Sequence, residues 1–319
     1  MPITPAFLNE RLLALKGQYA HAGDFCFFTD TENLPGICAS RRLLCRSHVL
    51  QQGVLRLDCA SPDVLKKTPP WVHDYVRLYF APRTPMLYQI EGIKRRPGKW
   101  PECPRPAYLV FDPIVLTLPS VRLSDGNMAS KYSTCQDASD AFFASLRFED
   151  IFHRGAISKD PEAEAMFGYD TYALNRVRRR QAEVLVPTEL SLQYLRRVIF
   201  RSQAERDLSI SDIGGVPNGV VVEVNEDWFF APSLRRPYLD TFGQGTLVVA
   251  NPLKDDALVR VVCSHSGVVS TSRSTFGETE WGPWNTIAPS ESEVSAPPPP
   301  GGRCRYYLCG HRVAEVDAP

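Results

Sequence analysis

A single carboxylate at the start of an apolar strand is the side chain of this sequence best placed for chemistry. Glu183 follows an arginine-rich run and opens a short aliphatic stretch that Pro187 ends. Side chains alternate along a strand, so Glu183 shares a face with Leu185 and points either into a cleft or at the rim of a sheet. In a cleft, its charge would stabilise positive charge that develops during a reaction. At a rim, an ion pair with Arg179 or Arg180 is the simpler role.

A basic segment with a tryptophan inside it is the second candidate. Prolines bound the segment, and its cations and indole are Lys94, Arg95, Arg96, Lys99, Trp100 and Arg105. Cations meet phosphates and an indole stacks on a base, so this composition suits single-stranded nucleic acid. A solvated turn between two strands accounts for the same residues equally well.

The third candidate is one face of the strand predicted over residues 75–81. Aliphatic and aromatic residues occupy its even positions, as expected of a face that packs on a core. Tyr75, Arg77 and Tyr79 share the opposite face, which is aromatic and cationic. Such a face can stack a pyridinium ring or a base, although an exposed strand with two tyrosines is also common.

Helices and strands must hold these residues in place. Asn33 is expected to cap a helix, residues 53–70 to form a loop, and the turn 124–127 to use Gly126 for a positive φ. The pattern predicts helices over residues 5–16, 33–44, 137–147, 169–180 and 204–212, and strands over 25–28, 75–81, 107–118 with Pro113 able to break it, 183–187, 195–201 and 219–224.

Composition places the chain among globular proteins. Its 319 residues are 44% hydrophobic and 23% charged, which allows one large domain or a large and a small one. No apolar run is long enough for a membrane helix, and the N-terminus does not resemble a signal peptide, so we expect a cytoplasmic protein. Nine scattered cysteines do not form a disulfide framework. Basic and acidic residues number 36 each, so any nucleic acid must bind to local patches.

Residues 231–319 differ in composition from the rest of the chain. They are rich in Thr, Ser, Gly and Pro, with short β-like runs at 246–250, 258–263 and 305–308 and a polyproline spacer at 297–300. The predicted division is therefore a domain over residues 1–230 and a small β-rich module over 231–319. Cys263, His265, Cys304, Cys309 and His311 could ligate zinc, but they lack a tight Cys-x2-Cys pair, and we predict no metal.

Four sequence blocks, taken together, resemble the DarT family of nucleic-acid ADP-ribosyltransferases. They are Asn33-Leu34-Pro35-Gly36-Ile37, the segment 75–88, Ser124-Asp125-Gly126-Asn127-Met128-Ala129-Ser130, and Arg-Gln-Ala-Glu-x-Leu-Val around Glu183. The blocks follow the family's order with similar gaps and cover roughly residues 20 to 230. The resemblance implies an α+β fold of the ADP-ribosyltransferase type, with split central sheets and flanking helices.

The resemblance also implies NAD as the co-substrate and Glu183 as the catalytic residue. Glu183 would bind the ribose 2′-hydroxyl and accept a proton from the acceptor nitrogen, and one carboxylate suffices because nicotinamide leaves neutral. The residues implied for the NAD pocket are Phe27, Thr29, Asn33, Tyr79 and Met86. Arg83 would contact a phosphate or the nucleic acid, and Asn127 would contact the substrate or NAD. The basic segment with Arg95, Arg96 and Trp100 would add nucleic-acid contacts.

Two positions depart from the family pattern. Phe27 stands where the family typically has histidine, and Cys59 stands where it has an essential arginine. Arg56, three residues earlier, is the predicted substitute if the loop rearranges. If nothing replaces this arginine, the chain could be a nucleic-acid-binding relative with weak catalysis.

The resemblance implies partners as well. The acceptor is expected to be single-stranded DNA, with RNA as the alternative, because both departures lie where base choice could change. A toxin or anti-phage defence role follows, restrained by a macrodomain-type or other antitoxin. A third hypothesis is an interaction protein whose C-terminal module docks a partner.

Overall fold

The computed structural model describes residues 2–91, 101–155 and 171–230, and the backbone of seven strands between residues 238 and 317. The helices are α1 Pro5–Lys16, α2 Leu34–Ser40, α3 Arg46–Gln52, α4 Pro62–Lys67, α5 Pro85–Ile90, α6 Asp140–Ser145, α7 Phe148–Ile151, α8 Thr171–Arg179 and α9 Gln203–Ile213. The strands up to residue 230 are β1 Phe25–Asp30, β2 Arg42–Leu44, β3 Tyr75–Tyr79, β4 Pro106–Phe111, β5 Arg122–Ser124, β6 Cys135–Asp137, β7 Glu183–Pro187, β8 Glu189–Ser191, β9 Leu195–Phe200 and β10 Val221–Val224.

One eight-stranded sheet organises this part of the chain, in the order β10-β9-β4-β1-β3-β7-β5-β6. Its neighbours are antiparallel except β9 and β10. β1 pairs with β4 along its whole length, but it meets β3 at a single residue pair, Cys26 with Tyr79. The sheet therefore consists of two halves that join at one point and diverge beyond it, which agrees with the split sheet expected from the sequence.

Both faces of the half that contains β1 are covered. Phe25 belongs to the main core, together with Leu8, Leu12 and Leu15 of α1, whereas Cys26 belongs to a second cluster on the other face. Successive side chains of a strand point to opposite faces, so the apolar run 25–28 is a strand buried on both sides. Among the described helices, none is long and apolar enough to cross a membrane.

Several sequence predictions are confirmed closely. α1 has the predicted bounds, and the Thr4 hydroxyl accepts a hydrogen bond from the Phe7 amide. The strand after Ala182 spans Glu183–Pro187 as expected. The helix predicted over 204–212 is α9. Residues 169 and 170 of the helix that was expected before Glu183 lie outside the described residues.

Other element predictions were wrong in extent. The helix predicted to reach residue 44 ends at Ser40, because Arg41 takes a left-handed conformation with φ of 54° and β2 follows, paired with β8. The strand predicted over 107–118 ends at Phe111, at the break that Pro113 was expected to allow, since the Asp112 carboxylate accepts from the Ile114 amide and begins a 3₁₀ turn. The loop predicted over 53–70 contains α4.

Beyond residue 230 the described backbone is entirely β-strand, as predicted for this module. β11 Tyr238–Gly243, β12 Thr246–Ala250 and β15 Glu291–Ser295 form a three-stranded sheet. β13 Leu258–His265, β14 Val268–Thr275, β16 Arg303–Leu308 and β17 His311–Asp317 form a four-stranded one. The polyproline stretch, Cys309 and the side chains of the other candidate zinc ligands lie outside the described residues.

Candidate active site

A cavity of about 200 Å³ opens where β1 and β3 diverge. Its walls come from these two strands, from α3 to α5 and from the segment 55–61. The structure brings together here all five residues that the sequence assigned to a nucleotide pocket: Phe27, Thr29, Asn33, Tyr79 and Met86. They come from residues 27–33, between β1 and the start of α2, and from the segment 75–88. These two stretches are distant in sequence, so their convergence is a property of the fold.

The tyrosine of this set forms an aromatic wall. The Tyr79 ring stacks on Phe28, with centroids 5.5 Å apart and planes 8° from parallel. Burial raises the pKa of the Tyr79 hydroxyl although the nearby charge of Arg77 lowers it, so the phenol stays neutral at physiological pH. The wall is thus a flat, uncharged surface suited to a planar ring.

Asn33 anchors the loop wall of the cavity. Its Nδ2 donates to Thr29 Oγ1 at 3.0 Å and to the Leu57 carbonyl at 2.8 Å, and its Oδ1 accepts from the amides of Arg56 and Leu57. The prediction of a helix-capping side chain was wrong, because Asn33 makes no cap hydrogen bond and Asp30 caps the preceding turn instead. The amide is satisfied by a tertiary contact that sequence-local reasoning does not reach.

We expect Asn33→Ala to destabilise the protein by about 1–2 kcal/mol, because two part-buried amides of the loop lose their acceptor. Urea unfolding measures the loss, and limited proteolysis should show faster cleavage near residues 54–58. Asn9→Ala, on the exposed face of α1, is the matched control and should change little. Equal stability of the two variants would contradict the anchoring role.

The structure does not bring Arg56 to the cavity. Its side chain is exposed and lines a separate hollow with Arg41 and Asp212. Among the described residues, two arginines line the cavity: Arg46, which the sequence did not single out, and Arg77, which it placed on the candidate face of β3 without a role. Arg46 binds Asp58 through two hydrogen bonds of 2.9 and 2.6 Å, and this contact lowers the pKa of Asp58. Cys59, at the expected arginine position, lines the cavity and accepts from the Asp30 amide.

Glu183 lies beside the cavity, behind Arg77. The carboxylate is fully buried, and Arg77 binds it with a two-pronged contact, Nε to Oε2 and Nη2 to Oε1, both at 2.6 Å. Oε1 also accepts from the Met128 amide at 3.3 Å, and Ser124 Oγ fixes the backbone amide of Glu183. Tyr79 stands opposite Glu183 in the register of β3 and β7. The residue is therefore neither at the sheet rim nor paired with Arg179 or Arg180.

The arginines before Glu183 have other partners. Arg176 and Arg179 each bind one oxygen of the buried Asp150, and Arg178 binds Asp125 at 2.8 Å. Arg180 donates to the backbone carbonyl of Arg83, and burial together with the charge of Arg83 lowers its pKa. Two cations therefore lie close together at the end of β3 and the start of β7.

Arg83 holds an uncommon backbone conformation. Its φ is 57°, in the left-handed region that residues with a Cβ rarely adopt. The buried Tyr108 hydroxyl accepts from its amide at 3.0 Å, and Arg180 binds its carbonyl. Its side chain reaches the exposed Asp227 at 3.6 Å. Non-glycine residues held in this way cluster at functional sites.

The turn 124–127 packs against the residues that precede Glu183. Asn127 Nδ2 donates to Gln181 Oε1 at 2.9 Å, and its amide donates to the Arg178 carbonyl. The expectation that Gly126 takes a positive φ was wrong. Glycine is required by close approach instead, since a Cβ there would lie 2.6 to 3.0 Å from atoms of Arg178.

Gly126→Ala is therefore expected to cost about 1–3 kcal/mol of stability through overpacking. The atoms that the new methyl group would displace include the carbonyl oxygen of Arg178. This oxygen accepts from the Asn127 amide, so its movement would disturb the backbone that leads to Glu183. Thermal unfolding measures the effect. Gly17→Ala is the control, because its nearest neighbour would be 3.5 Å away, and an equal loss in the two variants would refute the argument.

Three predicted nucleic-acid contacts, Arg95, Arg96 and Trp100, lie outside the described residues. Arg46 is the residue that sequence reasoning missed, and Arg77 was placed on the candidate face of β3 but given no role. The alternation of β3 gave one usable signal, because it places Arg77 on the same face as Tyr79. The whole arrangement offers a flat aromatic wall, two cavity-lining guanidinium groups and one buried carboxylate bound to the guanidinium of Arg77.

The chain was compared with known proteins. The model of the family described as "ssDNA thymidine ADP-ribosyltransferase, DarT" matches residues 26–230. Thermus sp. 2.9 DarT in complex with ADP-ribosylated ssDNA is 21% identical, with a TM-score of 0.50, over 66% of this chain and 98% of that one. The same protein with NAD+ is 20% identical (TM-score 0.49; 67% and 100% covered). Thermosipho africanus DarTG in complex with ADP-ribose is 17% identical (TM-score 0.49; 67% and 52% covered). No curated protein matches significantly.

Proposed function

The chain belongs to the DarT family of ssDNA thymidine ADP-ribosyltransferases, and from this premise we propose that the cavity between β1 and β3 binds NAD and that Glu183 directs transfer of its ADP-ribose. The observation that carries the proposal is the convergence of Thr29, Asn33 and Tyr79 on one cavity, with the buried Glu183 opposite Tyr79 in register.

The chemistry needs few groups. The bond between nicotinamide and ribose C1′ breaks, nicotinamide leaves with the electron pair as a neutral molecule, and the ribose becomes cationic. Glu183 binds the 2′-hydroxyl and stabilises this charge. A thymine nitrogen then bonds to C1′, and its proton passes to the Glu183 carboxylate. A closed cavity limits the competing attack by water.

Within the cavity we assign residues by their surroundings. Tyr79, with Phe27 and Met86, would hold the nicotinamide ring, and the Thr29 hydroxyl retains a hydrogen to donate, since its oxygen accepts from Asn33. Arg46 would supply the positive charge that the family takes from an arginine at the position of Cys59. Arg56 would reach the cavity only if the segment held by Asn33 rearranged.

The acceptor strand would pass the end of β3. Arg83 and Arg180 are cations held close together there, and a DNA phosphate would relieve their repulsion. Asn127 binds the side chain of Gln181, the residue after Arg180, and so would lie near the same DNA strand. The basic segment with Arg95, Arg96 and Trp100 would extend the contact with DNA. We further propose residues 1–230 as the transferase domain, residues 231–319 as a separate module, and an antitoxin of macrodomain type as the protein partner.

Incubation of the purified chain with labelled NAD and single-stranded DNA, RNA or protein tests the proposal. We expect label on DNA that contains thymidine, with the modified base identified by mass spectrometry. Label on RNA alone would move the acceptor to RNA, for which the departures at Phe27 and Cys59 give a reason. DNA binding without any label would overturn the enzymatic assignment.

A further inference from the structure

Arg77 makes the tightest contact with Glu183 of any side chain in the described residues, yet the transfer chemistry does not itself require it. We propose that Arg77 is a positioning residue that holds the Glu183 carboxylate toward the cavity and yields one of its two hydrogen bonds to the ribose when NAD enters. This inference rests on the proposed function of Glu183.

The geometry separates the two carboxylate oxygens. Oε1 accepts from Arg77 Nη2 and from the Met128 amide, whereas the Oε2 partner is Arg77 Nε alone among the described residues. Oε2 is therefore the oxygen that can exchange its partner for a ribose hydroxyl, while Oε1 keeps the carboxylate fixed. A planar fork suits this task, because one prong can hold while the other is released.

The exposure of the two side chains shows from which side a ribose hydroxyl would approach the carboxylate. Glu183 has no exposed side-chain surface, whereas Arg77 is 19% exposed and lines the cavity. The guanidinium thus stands between the cavity and the carboxylate. A ligand that enters the cavity meets Arg77 before it meets Glu183, so the arginine must shift for the ribose to reach Oε2.

Arg77 is also the main source of charge at the carboxylate. The titratable groups around the pair are Tyr79 on β3, Cys135 on β6 and His73 in the turn before β3, with Arg122 on β5 turned toward Asp137 at 3.4 Å. His73 also lines the cavity, and burial together with the charges of Arg46 and Arg77 lowers its pKa. Burial raises the pKa of Cys135 to about 11 and that of Tyr79 as well, so both are neutral at physiological pH. Without Arg77 the carboxylate would be a buried anion that forms no ion pair with any other described residue, a state that favours protonation.

Kinetics of Arg77→Met and Arg77→Lys test the inference. For Arg77→Met we expect kcat to fall on the order of 10²-fold, comparable to the loss of one preorganised electrostatic contact, while the Kd for single-stranded DNA without NAD stays within about twofold of wild type. The acid limb of its pH–rate profile should move to higher pH. Arg77→Lys should recover part of kcat and return the acid limb toward wild type.

Arg42→Met is the matched control. Arg42 also binds a glutamate on a neighbouring strand, Glu189 at 2.9 Å, but the pair is exposed and does not line the cavity. We expect wild-type kcat and pH profile for this variant. All rates are divided by the folded fraction, measured by circular dichroism, and if Arg77→Met does not fold, the pH profile of Arg77→Lys decides the question.

The outcomes separate this inference from the proposed function. If wild type labels DNA but the Arg77 variants keep its kcat and pH profile per folded molecule, Arg77 is only structural and the inference fails. If wild type labels no nucleic acid at all, the proposed function itself fails.

Discussion

Glu183→Gln is expected to lower kcat for ADP-ribosyl transfer by about 10³-fold or more, because the ribose cation loses the one negative charge placed beside it. Glutamine keeps the shape of the side chain but not the charge. Its amide group would also face the donors of Arg77, so that at least one prong of the fork loses its acceptor. Single-turnover transfer to a thymidine-containing oligonucleotide measures the effect.

Binding and folding must be followed in the same samples. Single-stranded DNA should bind the variant nearly as tightly as wild type, because the substitution leaves the proposed DNA contacts Arg83 and Arg180 unchanged. Glu189→Gln removes a glutamate just beyond β7 that is 41% exposed, and it should leave transfer unchanged. A Glu183→Gln enzyme within about tenfold of wild-type kcat would show that this carboxylate does not carry the chemistry.

Arg201→Met should have the largest effect on stability, a loss of about 3–5 kcal/mol of unfolding free energy. Arg201 is buried, and its Nη1 binds Glu91 Oε1 at 2.7 Å, its Nε binds Glu205 Oε2 at 3.1 Å, and its Nη2 binds the Pro104 carbonyl. Methionine fills much of the space, but it leaves two buried carboxylates without their cation. Urea unfolding at pH 7 measures the loss.

The pKa of Glu205 determines how the destabilisation by Arg201→Met depends on pH. Burial raises the pKa of Glu205 even with Arg201 present, so the folded state takes up a proton more readily than the unfolded state. Stability from such a group is present at low pH and is lost as pH rises through the folded-state pKa. In Arg201→Met the destabilisation should therefore be smaller at pH 5 than at pH 8. Arg206→Met on the same helix, where the arginine is partly exposed, is the control and should show neither effect.

The elements that the sequence predicted well depend on local patterns. Thr4, Leu8 and Leu12 are sufficient to locate α1, because capping and helical spacing act within a few residues. Thr29 and Tyr79 were placed in one pocket by the ordered motifs of the family, and the fold brings them to one cavity.

The features that the sequence did not predict depend on contacts between distant segments. Arg77 and Glu183 are separated by 106 positions, and only the pairing of β3 with β7 brings them together. Asn33 has the signature of a helix cap, but its side chain instead forms hydrogen bonds with Leu57, which lies in a loop 24 residues later. The sequence predicted that Gly126 is needed for a positive φ. The structure shows that glycine is needed because Arg178 packs against it, and the sequence does not show that these two residues are neighbours.

The single residue pair between β1 and β3 has a consequence for how this enzyme could diversify. Because only Cys26 and Tyr79 tie the strands there, the width of the gap depends on the side chains that fill it and hardly on the backbone ladder. Substitutions at positions such as 27, 59 and 77 can therefore reshape the gap while every other strand keeps its register. A scaffold with this property can change the shape of this cavity one side chain at a time.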